Sequence, residues 1–280
     1  MLNNSLPSSA NDSLDYSPDA CSVAKPSTAN LDSISLAQTA FDSLPSVIQQ
    51  ALFYQKRIVC MANNPSITSD SLDKLLQTTD ILVLFNDFIH ADYLITNPLA
   101  RQLPKLLFFR QNGDSLLHFG LPPRSNNVLA IDKMAKLAPL GLLFSNQCYQ
   151  FPTPSDDPKP ADDPITASRT LIIPPALTQL LHSSEHCRVL SEWHPVVADY
   201  PNFTAIHSSA PSSGFLLYRL LLAARQHVQQ LQTSVALLQI MMLGFNDEDK
   251  TGYFWSGHNW AFERREMANA PADVQLSRQY

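Results

Sequence analysis

Paired cysteines are missing from this chain. Its four, Cys21, Cys60, Cys148 and Cys187, are scattered through 280 residues with no C-x-x-C spacing. That argues against a disulfide framework or a thiolate zinc site, and for reduced thiols in a cytosolic setting. A basic stripe is also absent, so long nucleic-acid partners are not expected. No apolar run reaches the length of a membrane span; 215–224 is broken by Arg219 and followed by Arg225. The opening residues, MLNNSLPSSANDS, lack the basic flank and apolar core of a secretory leader, and none is expected. Internal repeats are missing as well.

The formal charge of −6 is unevenly spread. Residues 1–45 hold five Asp and one Lys, residues 152–166 hold four Asp and one Lys, and the remainder carries about +1. Acidity therefore belongs to solvated segments. Residues 1–45, rich in Ser, Asn, Asp, Pro and Ala, read as a disordered polar tail. Residues 46–280 read as a single domain, interrupted by a Pro/Asp-rich loop at 152–166.

Within that domain a helix is predicted over 46–55, then a β-like run, Arg57–Met61. A polar turn from Ala62 to Ser66, a helix over 69–77 and a buried strand from Asp80 to Phe85 follow. Strand, turn, helix and strand within about thirty residues have the length of a βαβ unit. Further strands are predicted at 106–110, 128–131, 170–173, 188–190 and 235–245, and helices at 174–182 and 215–231. The alternation predicts an α/β fold: a largely parallel sheet covered by helices on both faces.

The chemistry-bearing stretch is 211–263. Ser212 or Ser213 is placed to cap the helix over 215–231, and such a helix start suits a phosphate or carboxylate. Gly214 leaves room for a ligand to come close. The apolar run VALLQIMMLGF (235–245) ends where open α/β sheets place their chemistry. Beyond it come Tyr253, His258 and Glu263. If a helix begins near Asn259, Glu263 lies about one turn along it, to cap the local backbone or to orient the imidazole as a base. The plainer alternatives are a structural or surface histidine and a solvated glutamate among Arg264, Arg265 and Glu266. Tyr253 and Trp255 serve equally well as ligand anchors or as core aromatics. Asn63 and Asn86 follow neighbouring strands, and their amides offer donors and an acceptor to a nucleotide. Asparagine is also a favoured turn residue, and on composition alone the turn explanation is preferred. Asp247 and Asp249 have the spacing to hold a divalent ion, although a charged loop is the commoner meaning.

In order along the chain, these motifs resemble those of the sialyltransferases, both eukaryotic-type and bacterial enzymes that use CMP-sialic acid. Ala62-Asn63-Asn64-Pro65-Ser66 looks like the donor-binding G-N-[SG] turn with alanine in place of glycine. Asn86 matches the asparagine after the next strand. Pro211-Ser212-Ser213-Gly214-Phe215-Leu216 with Leu243-Gly244-Phe245 is similar to the small sialylmotif. His258 and Glu263 fit H-x-x-x-x-E, and Tyr253-Phe254-Trp255 resembles the short aromatic motif without its leading histidine. The resemblance spans about 58–267.

It implies a modified Rossmann-like fold, an inverting transfer and no required metal or cofactor beyond the CMP-sugar donor. Asn63 and Asn86, with Asn64 beside them, would hold CMP. Ser212, Ser213 and Gly214 would bind the donor carboxylate or the cytidine end. His258 would be the general base, and Tyr253 would stabilise the leaving phosphate. The acceptor would be a glycan or glycolipid in surface polysaccharide or lipooligosaccharide synthesis. The expected setting is cytoplasmic, including peripheral association with the inner face of the membrane. The rival expectations are a transferase for another CMP-activated sugar such as Kdo, and a catalytically silent nucleotide-binding protein of the same fold.

Overall fold

The computed structural model describes residues 33–85, 88–110, 136–145, 185–190, 194–201, 211–232, 239–245, 258–272 and 274–277. Seven strands form a sheet: β1 (Ile58–Met61), β2 (Ile81–Phe85), β3 (Lys105–Arg110), β4 (Gly141–Ser145), β5 (Cys187–Leu190), β6 (Ile240–Leu243) and β7 (Val274–Ser277). Their order is β5-β4-β3-β2-β1-β6-β7, and every pairing between neighbours is parallel.

The described helices are α1 (Ser33–Asp42), α2 (Ser46–Phe53), α3 (Ser69–Leu75), α4 (Ala91–Thr96), α5 (Pro98–Gln102), α6 (Ser213–Leu231) and α7 (Trp260–Ala268). They cover both faces, which is why β1 and β2 are buried along their whole length and read as unbroken apolar runs. The period of two divides the core. Ile58, Cys60, Ile81, Val83 and Phe85 pack with α1, α2, α6 and Phe262 of α7. Val59, Met61, Leu82 and Leu84 pack with Leu72 of α3, Leu94 of α4 and Ala100 of α5. The α/β expectation, a parallel sheet with helices on both faces, therefore holds.

Buried polar groups fix how the elements enter. The Arg57 guanidinium donates to both carboxylate oxygens of Asp80 at 2.7 and 2.6 Å, and to the Leu75 carbonyl at 2.6 Å. Asp80, fully buried, also accepts from the Gln77 N–H at 2.7 Å. The starts of β1 and β2 are thereby clamped together by a bidentate, charge-assisted pair. The Lys105 ammonium donates to the carbonyls of Arg101 and Leu103 at 3.0 and 2.8 Å, closing the end of α5. Burial pulls its pKa down to about 8.

Several expectations need correction. The tail was expected to extend to residue 45, yet 33–42 form α1, with Ala37, Ala40 and Phe41 buried along α6. Leu36, Ala37, Ala40 and Phe41 recur at helical spacing, but the polar residues before them dominate the composition of 1–45 and concealed the helix. β4, β7 and the single-turn helices α4 and α5 were not expected. The strand predicted over 235–245 is observed at Ile240–Leu243. The elements predicted at 128–131, 170–173 and 174–182, and the 152–166 loop, lie outside the described residues. Among the described residues no helix is long and apolar enough to cross a membrane.

The chain builds outward from β1 to β5, then returns to lay β6 on the opposite side of β1. This reversal makes the carboxyl ends of β1 and β6 the topological switch point, where open α/β sheets open a crevice for ligands.

Candidate functional site

At that switch point the residue after β1, Ala62, donates its N–H to the Leu243 carbonyl at 2.9 Å, extending the ladder to β6. Asn63 and Asn64 then turn to opposite neighbours. Asn63 Nδ2 donates to the Phe85 carbonyl at 2.8 Å and Oδ1 accepts from the Ile89 N–H at 3.2 Å, so its amide ties the end of β2 to Ile89. Asn64 is buried; its Nδ2 donates to the Gly244 carbonyl at 3.1 Å, and its Oδ1 accepts from the N–H and hydroxyl of Ser66 at 2.9 and 2.6 Å. The tip of β1 is thus fastened to both adjoining strands by side-chain amides.

Phe88 and His90, past β2, are held by their surroundings. Phe88, though buried, sits at φ 35°, a left-handed conformation that bulky residues adopt only under constraint. His90, which the sequence did not single out, lies with Nε2 3.1 Å from the Asn64 carbonyl. A carbonyl only accepts, so that nitrogen carries the proton. Burial lowers the His90 pKa below the usual imidazole value, and the hydrogen bond to Asn64 opposes part of that shift.

On the other rim, the α6 start is assembled from three distant segments. Ser212 is the cap: its hydroxyl oxygen accepts from the Phe215 N–H at 3.1 Å. The same hydroxyl donates to Glu263 Oε2 at 2.6 Å, and the Ser212 N–H donates to Oε1 at 2.8 Å. Glu263 is 4% exposed and also accepts from the Tyr200 hydroxyl at 2.8 Å. Tyr200 in turn accepts from the Asn259 N–H at 2.7 Å, and Asn259 caps α7 through its side-chain oxygen and the Phe262 N–H at 3.1 Å. His258 directly precedes that cap, half-buried, its ring perpendicular to Trp260 with centroids 4.9 Å apart.

Phe245 joins the two rims. Its ring meets Phe85 edge-on at 5.6 Å and fills the space beside Gly214, where an added Cβ would run into it. Gly244, at φ 83°, keeps the β6 tip against Ala62 and Asn64; its own Cβ would stand 3.2 Å from each of theirs. A continuous path of contacts therefore leads from Asn63 through Phe85, Phe245, Gly214, Ser212, Glu263 and Tyr200 to Asn259 and His258.

Several predicted roles change. The room at Gly214 is taken by Phe245, so this glycine serves packing between α6 and β6, not ligand approach. The Ser212 hydroxyl is committed to Glu263 and to its own cap. Asn64 is a structural fastener, buried with its amide engaged at both ends. Glu263 accepts from Ser212 and Tyr200, both distant in the chain, and its burial overturns the solvated alternative. Asn63 is exposed and keeps a second amide proton and lone pairs for a ligand. Among the described residues the Ser213 side chain has no hydrogen-bond partner. Asn86, Tyr253, Trp255, Asp247 and Asp249 lie outside the described residues, as does Asp87. Among the described residues no cluster of three or more His, Cys, Asp or Glu side chains could hold a metal ion.

His90 and Tyr200 are the additions. Their one sequence signal was position: His90 follows the tip of a predicted strand, and Tyr200 precedes the chemistry-bearing stretch. No protein-family model, curated protein or solved structure matches the chain.

Proposed function

We propose that the chain is an inverting transferase that moves sialic acid, or a related 2-keto acid sugar, from a CMP-activated donor to a glycan acceptor. One observation carries this reading. Described segments of the resemblance, separated by up to about two hundred positions, pair near the switch point: Asn63 with the end of β2, Asn64 with Gly244, Gly214 with Phe245 and Ser212 with Glu263. A structural sheet does not need a histidine, a free serine at a helix start and an exposed amide linked by one path of contacts.

In this reading His258 takes the proton from an acceptor hydroxyl as that oxygen attacks the anomeric carbon, and the C–O bond to CMP breaks with inversion. An imidazole suits the step because its titration range brackets neutral pH. The Ser213 hydroxyl and the N–H groups at the α6 start stand where the donor's carboxylate gains most from the helix dipole. Asn63 offers its remaining amide proton to the nucleotide. Tyr253 and Asn86 keep the leaving-group and CMP-binding roles that the resemblance implies. Any CMP-activated 2-keto acid fits the same chemistry, so Kdo is the nearest competing donor.

A second reading is favoured by Glu263. The chain's own carboxylate occupies the Ser212 donors at the α6 start, as in a protein that keeps the frame for binding or assembly without turnover. Calorimetry with CMP, followed by a screen of CMP-activated sugars for CMP release, separates the readings. Binding with release from CMP-sialic acid is expected; binding without release from any CMP-sugar selects the silent protein, and no CMP binding removes both. His258→Ala is expected to abolish transfer and keep CMP affinity, and near wild-type transfer in that variant would remove His258 from the mechanism.

A further inference from the structure

We propose that Tyr200 is a positioning residue for His258, fixing the backbone beside the imidazole through Asn259. The inference rests on the reading of His258 as the base. Tyr200 is 3% exposed, and its single hydroxyl does two jobs: it accepts from the Asn259 N–H at 2.7 Å and donates to Glu263 Oε1 at 2.8 Å. The ring cannot drift, because Phe262 meets it edge-on at 5.3 Å and Phe215 is tilted against it at 5.8 Å. Phe215 belongs to α6 and Phe262 to α7, so Tyr200 is wedged between the two helices that form this rim.

A side chain placed this way does more than fill the core. Asn259 is the cap of α7, the point where the chain leaves helical geometry, and His258 is the first residue beyond it. Backbone at a helix end frays readily unless its N–H groups are held. The Tyr200 hydroxyl accepts from one of them. Because the oxygen of Glu263 that accepts from Tyr200 also accepts from the Ser212 N–H, the start of α6 shares one acceptor with the hydroxyl that holds the residue after His258. The imidazole is therefore referenced to the helix start that would hold the donor. A base must sit within hydrogen-bond reach of the proton it removes, and small misplacements cost much rate.

Tyr200→Phe keeps both ring contacts and deletes only the hydroxyl. Its test is the proton spectrum of His258, whose ring resonances carry the ring-current signature of Trp260 and are assigned by their loss in His258→Asn. We expect these resonances to move in Tyr200→Phe. Turnover in CMP release should fall about tenfold or more, with the donor KM within about twofold. Unmoved resonances, or a fall in melting temperature with turnover intact, would reduce Tyr200 to a packing residue and overturn the proposal. Should Tyr200→Phe fail to fold, Glu263→Gln carries the test: it keeps an oxygen acceptor but weakens the pull on the hydroxyl. A smaller displacement of the same resonances is expected there, and none would overturn the proposal. The spectrum does not depend on transfer. If His258→Ala still transfers sugar, the base assignment ends while the resonance result stands.

Discussion

Replacing Glu263 by alanine removes the acceptor on which Ser212 and Tyr200 both converge. The carboxylate is 4% exposed and accepts from the Ser212 N–H and hydroxyl and from the Tyr200 hydroxyl at 2.8, 2.6 and 2.8 Å. Hydrogen bonds to a charged group contribute about 1.5–3 kcal/mol each, and a buried donor left without a partner costs about as much. The Ser212 hydroxyl can turn aside. The Ser212 N–H and the Tyr200 hydroxyl each lose a bond to a buried acceptor, so the loss should be about 3–5 kcal/mol. A domain of this size loses about 2–4 °C of melting temperature per kcal/mol, which puts the shift near ~10 °C. Glu263→Gln keeps the shape and one acceptor oxygen, and should cost about 1–2 kcal/mol. Urea unfolding monitored by far-ultraviolet circular dichroism gives both values. A loss below about 1 kcal/mol in Glu263→Ala would mean that water replaces the carboxylate, and the joint between α6 and α7 would lose its physical basis.

Asp80→Asn leaves the Arg57 guanidinium, 10% exposed, without its counter-charge, and should cost about 3–5 kcal/mol by urea unfolding; a cost under about 1 would refute the clamp. Lys105 holds its proton less tightly when folded, with a pKa near 8 against 10.5 unfolded. Between those values the unfolded chain binds the extra proton, so native stability should rise with pH relative to Lys105→Met. The rise amounts to about 3 kcal/mol across the window, and parallel stability curves for the two proteins would reject it. Gly214→Ala drives a methyl into the Phe245 ring, two of whose other atoms would stand 2.9 Å away. It should lower stability by about 1–3 kcal/mol; an unchanged melting temperature would show that the ring swings clear.

The βαβ unit from Arg57 to Phe85 was readable because strands buried on both faces are continuous apolar runs. The helix between them opens on Thr68 and Ser71, which bond each other's backbone N–H groups. α1 was hidden by the polar residues that precede it, and β4 by an opening glycine. An added Cβ at Gly141 would stand 2.9 Å from Leu106 and Val47, so this glycine marks close packing within a strand. At the candidate site, sequence order placed polar residues beyond β1 and β6 but did not reveal what those groups bond. Asn64 and Ser212 bond other parts of the protein, and no local pattern foretells a partner as distant as Gly244 or Glu263. His90 and Tyr200 escaped notice for the same reason.

The return of the chain to β1 has a consequence for synthesis. Asn64 must wait for Gly244, 180 positions later, before its amide finds the carbonyl it binds. At a ribosomal pace of about 5–20 residues per second, that delay is on the order of 9–36 s. During it, β1 has β2 on one flank and a row of unanswered N–H and C=O groups on the other. The nascent protein therefore carries a sticky flank for most of its birth, and escorts that shield unpaired strands would have their longest work here.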